Sequence, residues 1–249
     1  MKQSDAIKTL NKISVSQWGL FTSAQAQMSG VSRLSLSRLC EKEFIERLGF
    51  GIYKMSSTPS SRLTDIQVAW LSLEPKKFAH ERRAQREKDF IVGGHTATYL
   101  YEVGDLYPDP YLFLSPRRKQ SQRSELSFRM STLSKDDVRL IDGLPVTSPE
   151  RTIATLASEG EDLSHIEGVM IGFAKHYTLD ESTLGTLLSP HSKKYGFADG
   201  RAFSTHLHMQ DLQRKVQDFE RTIKTNPSLA RLVTKNLEPI IQLHEKELK

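Results

Sequence analysis

The stretch GLFTSAQAQMSGVSRLSLSRLCEKEFIERLGFGIYKM, residues 19–55, decides how this chain is read. Thr22 precedes SAQAQM, a short run of strong helix formers, and its hydroxyl suits an N-cap. Ser29-Gly30-Val31 is a tight turn, with Gly30 where the chain must reverse through a positive φ. Ser32 then caps a helix over RLSLSRLCEKE. Phe44–Leu48 and Ile52–Met55 predict two short strands joined around Gly49-Phe50-Gly51. Upstream, Asp5 is expected to cap an amphipathic helix with Ile7, Leu10 and Ile13 on one face. Three helices followed by a hairpin, in that order, describe a winged helix-turn-helix.

The third helix divides by face. Leu36, Leu39 and Cys40 share helical spacing and belong to a core, so Cys40 reads as a small buried apolar residue rather than a nucleophile. The opposite stripe is Arg33, Leu34, Ser37 and Arg38, with Ser35 alongside. A recognition helix reads base edges with its N-terminal residues, and arginine is the common reader of guanine. Arg47 and Lys54 on the hairpin are placed to meet phosphate. A protein–protein module is the alternative reading of the same elements.

Charge supports a polyanionic partner. The net +5 of this 249-residue chain is modest, but residues 1–55 carry eight Lys/Arg against four Asp/Glu, residues 76–89 six against three, and residues 117–139 seven against three. These clusters together exceed the whole-chain excess, so the rest is slightly acidic. The run at 76–89, with its mixed signs, reads equally as a solvated face. Hydrophobic residues at 37% and charged residues at 26% are a globular balance. One cysteine excludes a disulfide framework and a multi-cysteine zinc site. The opening MKQSDAIKTLNK has no apolar signal core, and no apolar run approaches a membrane span, so a cytoplasmic protein is expected.

The Ser/Pro stretch SSTPSSR, residues 56–62, reads as a linker. The expected organisation is α+β, with a winged helix-turn-helix over 1–57, a linker and short apolar helix containing Trp70 over 58–75, and a larger mixed α/β domain over 76–249. Within that domain HTATYLYEVGDL reads as a helix, Tyr107-Pro108-Asp109-Pro110 as a turn, and Tyr111–Ser115 and Leu126–Ser131 as strands flanking a basic loop. Asp142-Gly143 marks another turn. PVTSPERTIATLAS opens a helix, with Thr147 and Glu150 as a capping box, Pro149 in the first turn, and Ile153, Leu156 and Ala157 buried. The remainder, about 163–249, reads as mostly helical, with breaks at Ser189-Pro190, Asp199-Gly200 and Asn226-Pro227.

No catalytic constellation emerges. His206 and His208 diverge on a helix and lack a third ligand, and no HExxH or C-x-x-C accompanies them. His95 follows a Gly-Gly pair without a triad partner. There is no G-x-x-x-x-G-K-S/T or G-x-G-x-x-G phosphate loop. A nuclease of the PD-(D/E)xK kind needs an acid on the strand after Asp109, which reads YLFLSP, and a lysine after Glu125, which is followed by Leu126 and Ser127. No enzyme activity, no metal and no cofactor are expected.

The N-terminal string, then VAWLSLEP, GGHTATYLYEVGDL, the strands around SPRRK and DGLPVTSPERTIATLA, in that order over about residues 15–160, resemble the AbiEi antitoxins of bacterial phage-defence (type IV, abortive infection) toxin–antitoxin operons. One departure is Gly94-His95-Thr96-Ala97, where relatives often carry Ser-His-Xaa-Ala. The resemblance implies a two-function protein. The first domain would bind inverted repeats in double-stranded operator DNA and repress its own operon. The second would counter a cognate nucleotidyltransferase toxin. Carried onto this sequence, the recognition stripe is Arg33, Ser35, Ser37 and Arg38, and the wing Arg47 and Lys54. A basic antitoxin surface falls on Arg117, Arg118, Lys119 and Arg123, with Arg151 weaker because it also suits anchoring its own helix. Partners would be DNA and the toxin, with no membrane; cooperative self-association on DNA stays open. The alternatives are a stand-alone winged-helix regulator with a ligand-sensing or oligomerisation domain, and a nuclease with a degenerate site around Asp109 and Glu125.

Overall fold

A computed structural model describes residues 2–233. Helices α1 (Gln3–Ser14), α2 (Ser23–Met28) and α3 (Arg33–Glu41) pack on a three-stranded antiparallel sheet of β1 (Leu20–Thr22), β2 (Ile45–Gly49) and β3 (Ile52–Met55), in the order β1-β3-β2. Thr22 caps α2 in a reciprocal box, its hydroxyl accepting from the Gln25 amide while the Gln25 side chain accepts from the Thr22 amide. Gly30 sits at φ +85 with open space where a Cβ would stand, so the turn demands glycine for conformation rather than for room. Ser32 caps α3 by accepting from the Ser35 amide. One expectation changes. Asp5 lies inside the first turn of α1, whose N-cap is Lys2, so it complements the helix dipole rather than capping. Leu20–Thr22 form a strand, because their backbone pairs with Ile52–Lys54.

The second sheet has five strands in the order β6-β5-β4-β8-β7: β4 (Ile91–Val92), β5 (Tyr111–Ser115), β6 (Leu126–Met130), β7 (Val138–Ile141) and β8 (Leu144–Thr147). It is mixed, with β5–β6 and β4–β8 parallel. Asp142 and Gly143 both take positive φ and close the β7–β8 hairpin. Helix α4 (Thr64–Leu73) and the short α5 (Ala79–Ala84) precede the sheet, and α6 (Gly94–Tyr101) follows β4. The helix expected over HTATYLYEVGDL stops early, because Glu102 turns left-handed at φ 58 and ends it.

Four further helices follow, α7 (Pro149–Glu159), α8 (Leu163–Ala174), α9 (Glu181–Leu188) and α10 (Gly200–Thr225), and after Asn226 the described residues 227–233 are again helical, with the Asn226 side chain accepting from the Leu229 amide. The α7 cap is Ser148, whose hydroxyl accepts from the Arg151 amide. Thr147 is instead the last residue of β8, its hydroxyl shared with that of Thr152. Ile153, Leu156 and Ala157 join Ile166, Val169, Phe173, Leu184, Phe203 and Leu207 in one buried cluster. The three expected breaks fall where α9 ends, where Asp199 caps α10, and where Asn226 ends it. A Cβ on Gly200 would collide with the Gly185 carbonyl and the Ser189 amide, so α10 starts at backbone distance from α9 only because residue 200 is glycine. Residues 234–249 of the expected helical remainder lie outside the described residues. No helix among the described residues is long and apolar enough to cross a membrane.

The Ser/Pro stretch 56–62 is irregular and mostly exposed, but the elements on either side share a core. Leu20 and Ile52 from the first sheet pack in one cluster with Leu63, Ile66, Trp70, Phe90, Val92, Phe113 and Val146. Helix α4 is therefore a wall of that core rather than part of a tether. Much of the run 76–89 is exposed, as a solvated face would be, but two of its arginines turn inward. Arg82 is buried, with its guanidinium bidentate on Asp89 at 2.7 and 2.9 Å, donating to the Trp70 carbonyl at 2.7 Å, and 3.4 Å from the Trp70 ring centroid. Trp70 in turn donates to the Phe90 carbonyl at 2.9 Å. Arg83 donates to the Gly143 and Ser16 carbonyls and lies over the Trp18 ring, while Trp18 donates to the Asp142 carbonyl.

Truncation of Arg82 leaves the Asp89 carboxylate buried without its cation. Arg82→Ala is expected to cost about 3–5 kcal/mol of unfolding free energy in urea titration. The double variant Arg82→Met with Asp89→Leu is expected to cost clearly less than Arg82→Ala, because no buried charge is left uncompensated.

Candidate nucleic-acid interface

Leu36 and Leu39 bury one face of α3 among Leu10, Phe21, Val31 and Ile45, which fixes the orientation of the other. Arg33, Leu34, Ser37 and Arg38 are exposed on that outer face, Leu34 at 61%. Among the described residues neither Arg33 nor Arg38 has an ion-pair partner, so both guanidinium groups face water with their donors free. Ser35 is half-buried and its hydroxyl is shared with Ser32 at 2.9 Å, while the Ser37 hydroxyl donates to Glu41 at 3.1 Å. Cys40 is partly buried against the same core, and burial pushes its thiol pKa up, as for a small apolar residue rather than a nucleophile.

The hairpin divides its two predicted cations. Arg47 is exposed on β2 and bonds only the Gly49 carbonyl. Lys54 is turned inward and is 7% exposed, with its ammonium donating to Ser60 at 2.6 Å and paired with Glu46 at 3.2 Å. The expectation that Lys54 meets phosphate is thus corrected: the period-2 alternation of β3 puts it on the face that packs. Sequence reasoning missed Phe50, which stands 96% exposed at the hairpin tip. Its signal was visible as an aromatic residue between two glycines, with no neighbour at helical or strand spacing to pack it.

Four of the five residues of the expected basic surface lie on the loop between β5 and β6. Arg118 is exposed and free of partners among the described residues. Arg117 is paired with Glu74 and lies 5.2 Å from the Phe90 ring, which Lys119 approaches at 5.8 Å. Arg123 pairs with Glu125 at 2.7 Å and donates to Ser72 at 2.8 Å. Arg151 stands apart, its guanidinium on Asp137 at 3.0 Å, which is the anchoring role its position on α7 suggested. Half of the loop's cations are thus offset by their own acids.

Asp109 and Glu125 line one cleft of about 300 Å³ with Asp65, Tyr107, Tyr111 and Arg123. Arg123, by hydrogen bond and charge, holds the Glu125 carboxyl below its ordinary range. The histidines go to separate partners: His95 to the Pro110 carbonyl at 2.8 Å, His206 to Glu167 at 2.7 Å and His208 to the Ser204 carbonyl at 2.9 Å. Among the described residues, one group of three metal-ligand types lies close together, Glu161, Asp162 and His165, and its members are largely exposed.

No family model and no curated protein matches this chain. Among solved structures, the RV2827C protein from Mycobacterium tuberculosis is similar at 14% identity, over 82% of this chain and 77% of that one, with a TM-score of 0.48.

Burial opposes ionisation of Asp137, but hydrogen bonds from Ser134 and Arg151 outweigh it and hold its carboxyl below the usual carboxylate range. A depressed folded pKa contributes stability that is full above the unfolded value, near 4, and is lost as pH falls through the folded one. Asp137→Asn is expected to cost roughly 1–2 kcal/mol at neutral pH, the partial exposure of the pair limiting the effect. It should also flatten the loss of stability below about pH 4 in thermal melts across acid pH.

Proposed function

We propose that residues 3–55 form a winged helix-turn-helix that binds double-stranded DNA through α3 and the β2–β3 hairpin, and that the protein represses its own operon by occupying the promoter. One observation carries the reading. The outer face of α3 holds two arginines without acidic partners among the described residues, two small hydroxyl side chains and one exposed leucine, while its inner face is locked by Leu36 and Leu39. Charges left unpaired on a rigid helix suit a groove lined by phosphates and guanine acceptors. Arg33 and Arg38 read bases, Leu34 meets a thymine methyl, and Ser35 and Ser37 supply adaptable donors. Arg47 on the wing meets phosphate, a role Lys54 does not share because it is buried and paired.

The resemblance over about residues 15–160 extends the proposal to an antitoxin that counters a nucleotidyltransferase toxin, without enzymatic activity of its own. Arg118, the free cation of the β5–β6 loop, is the residue of that surface best placed to meet an acidic toxin or RNA, whereas Arg117, Lys119 and Arg123 are engaged on Glu74, Phe90 and Glu125.

Arg33→Ala with Arg38→Ala is expected to weaken binding to the DNA upstream of the gene by roughly 30-fold or more in an anisotropy titration. The thermal melt should stay unchanged, because both residues are exposed. Unchanged affinity overturns the assignment. Arg47→Ala is expected to weaken all duplexes about equally and to lower the salt slope of binding by about one. For the antitoxin role, co-expression with the neighbouring gene is expected to restore growth, and the Arg33/Arg38 variant to restore it equally. Failure of both forms to rescue strikes that role and leaves the repressor.

A further inference from the structure

Beyond Asp211, α10 leaves the body of the protein. Every residue from Leu212 to Thr222 is exposed, and the helix continues to Thr225, a projection about 21 Å long at 1.5 Å per residue. A projecting helix that packs on nothing else among the described residues should be polar all round. This one carries Met209, Leu212, Val216, Phe219 and Ile223, spaced alternately by three and four residues, the first four each about half exposed at 46–51%. That is the spacing of a coiled-coil seam, with Met209, Val216 and Ile223 at a positions and Leu212 and Phe219 at d. The remaining faces are polar, laced by the Lys215–Asp211 and Arg214–Asp218 pairs.

We propose that this projection is a dimerisation seam on which a second copy of the same chain lays the same stripe as a parallel two-stranded coiled coil. Two features select that occupant. Lys215 falls at a g position and Glu220 at e, five residues on, so in a parallel pair each lysine faces the partner's glutamate on both sides of the seam; an antiparallel pair sets lysine near lysine and glutamate near glutamate. Val216 and Ile223, β-branched at a, with Leu212 at d, favour two strands over three or four. The seam is only two heptads long, so the dimer is expected to be weak and concentration-dependent. This inference stands independently of what α3 binds. A two-fold dimer supplies the symmetry that an inverted repeat requires, a consequence that alone rests on the DNA-binding reading.

The test is sedimentation velocity of the full chain from low to high micromolar concentration, without DNA. The expected result is a shift from monomer to dimer mass. Val216→Glu with Phe219→Glu is expected to remain monomeric with an unchanged thermal melt, since both residues lie outside the packed body. Lys215→Glu or Glu220→Lys alone is expected to weaken the dimer roughly tenfold, and the two together to restore it. Val216→Cys in a Cys40→Ser background is expected to cross-link under mild oxidation, because equivalent a residues face each other in a parallel pair. A monomer at every concentration overturns the proposal, as does a dimer indifferent to the stripe variants. A dimer that the paired reversal does not restore and that position 216 does not cross-link overturns the parallel arrangement.

Discussion

The contact on which the rest of this structure depends is the buried guanidinium of Arg82, held between Asp89 and the face and carbonyl of Trp70. Burial lowers the pKa of Arg82, and the hydrogen bond and charge of Asp89 oppose that shift, so the anion offsets the cost of holding the cation inside the core. The pair fixes α5, and α5 fixes Arg83. Arg83 then reaches the Ser16 carbonyl and the Trp18 ring on one side and the Gly143 carbonyl on the other. Through these contacts the segment between α1 and β1 and the β7–β8 hairpin are referred to one frame.

The three basic clusters have three fates. The first is displayed at α3, where Arg33 and Arg38 are exposed and, among the described residues, form no ion pair. The second is partly consumed, with Arg82 and Arg83 engaged internally while Lys76, Lys77 and Lys88 are exposed. The third is divided, with Arg118 free while Arg117 and Arg123 are offset by Glu74 and Glu125. Net charge along the chain is therefore a poor guide to the electrostatics of the surface: a cation whose acid lies within hydrogen-bonding distance contributes little field beyond it. The proposed function rests on the displayed cluster for this reason.

Much of the fold was legible because short-range chemistry determined it. Thr22, Gly30, Ser32 and Pro149 act within a few residues of themselves, and each stands where its capping or turn role put it. What was missed depended on distant partners. Strand β4 is two residues long and exists only because β5 and β8 flank it, and β1 is a strand only because β3 lies beside it. The pattern Thr-x-x-Glu predicts a cap at Thr147, but β8 carries the chain one residue further, so Ser148 caps the helix instead. In the site, α3 could be divided by face from its periodicity, but the orientation of Lys54 on the hairpin required the register.

The sequence by itself determined the helices of the first 55 residues, the exposed stripe of α3, the breaks of the C-terminal helices and the absence of spacing for a familiar metal or catalytic motif. Each of these follows from local propensity or from a period of 3.6. The tertiary structure alone decided which cations are free and which are spent, that the Ser/Pro stretch joins two parts of one core, and that α10 carries its apolar stripe out beyond the body. These depend on which side chains meet across gaps of tens of residues, as Arg83 meets Ser16 and Gly143. Such pairings are set by packing of whole elements, a constraint that no window of neighbouring residues contains.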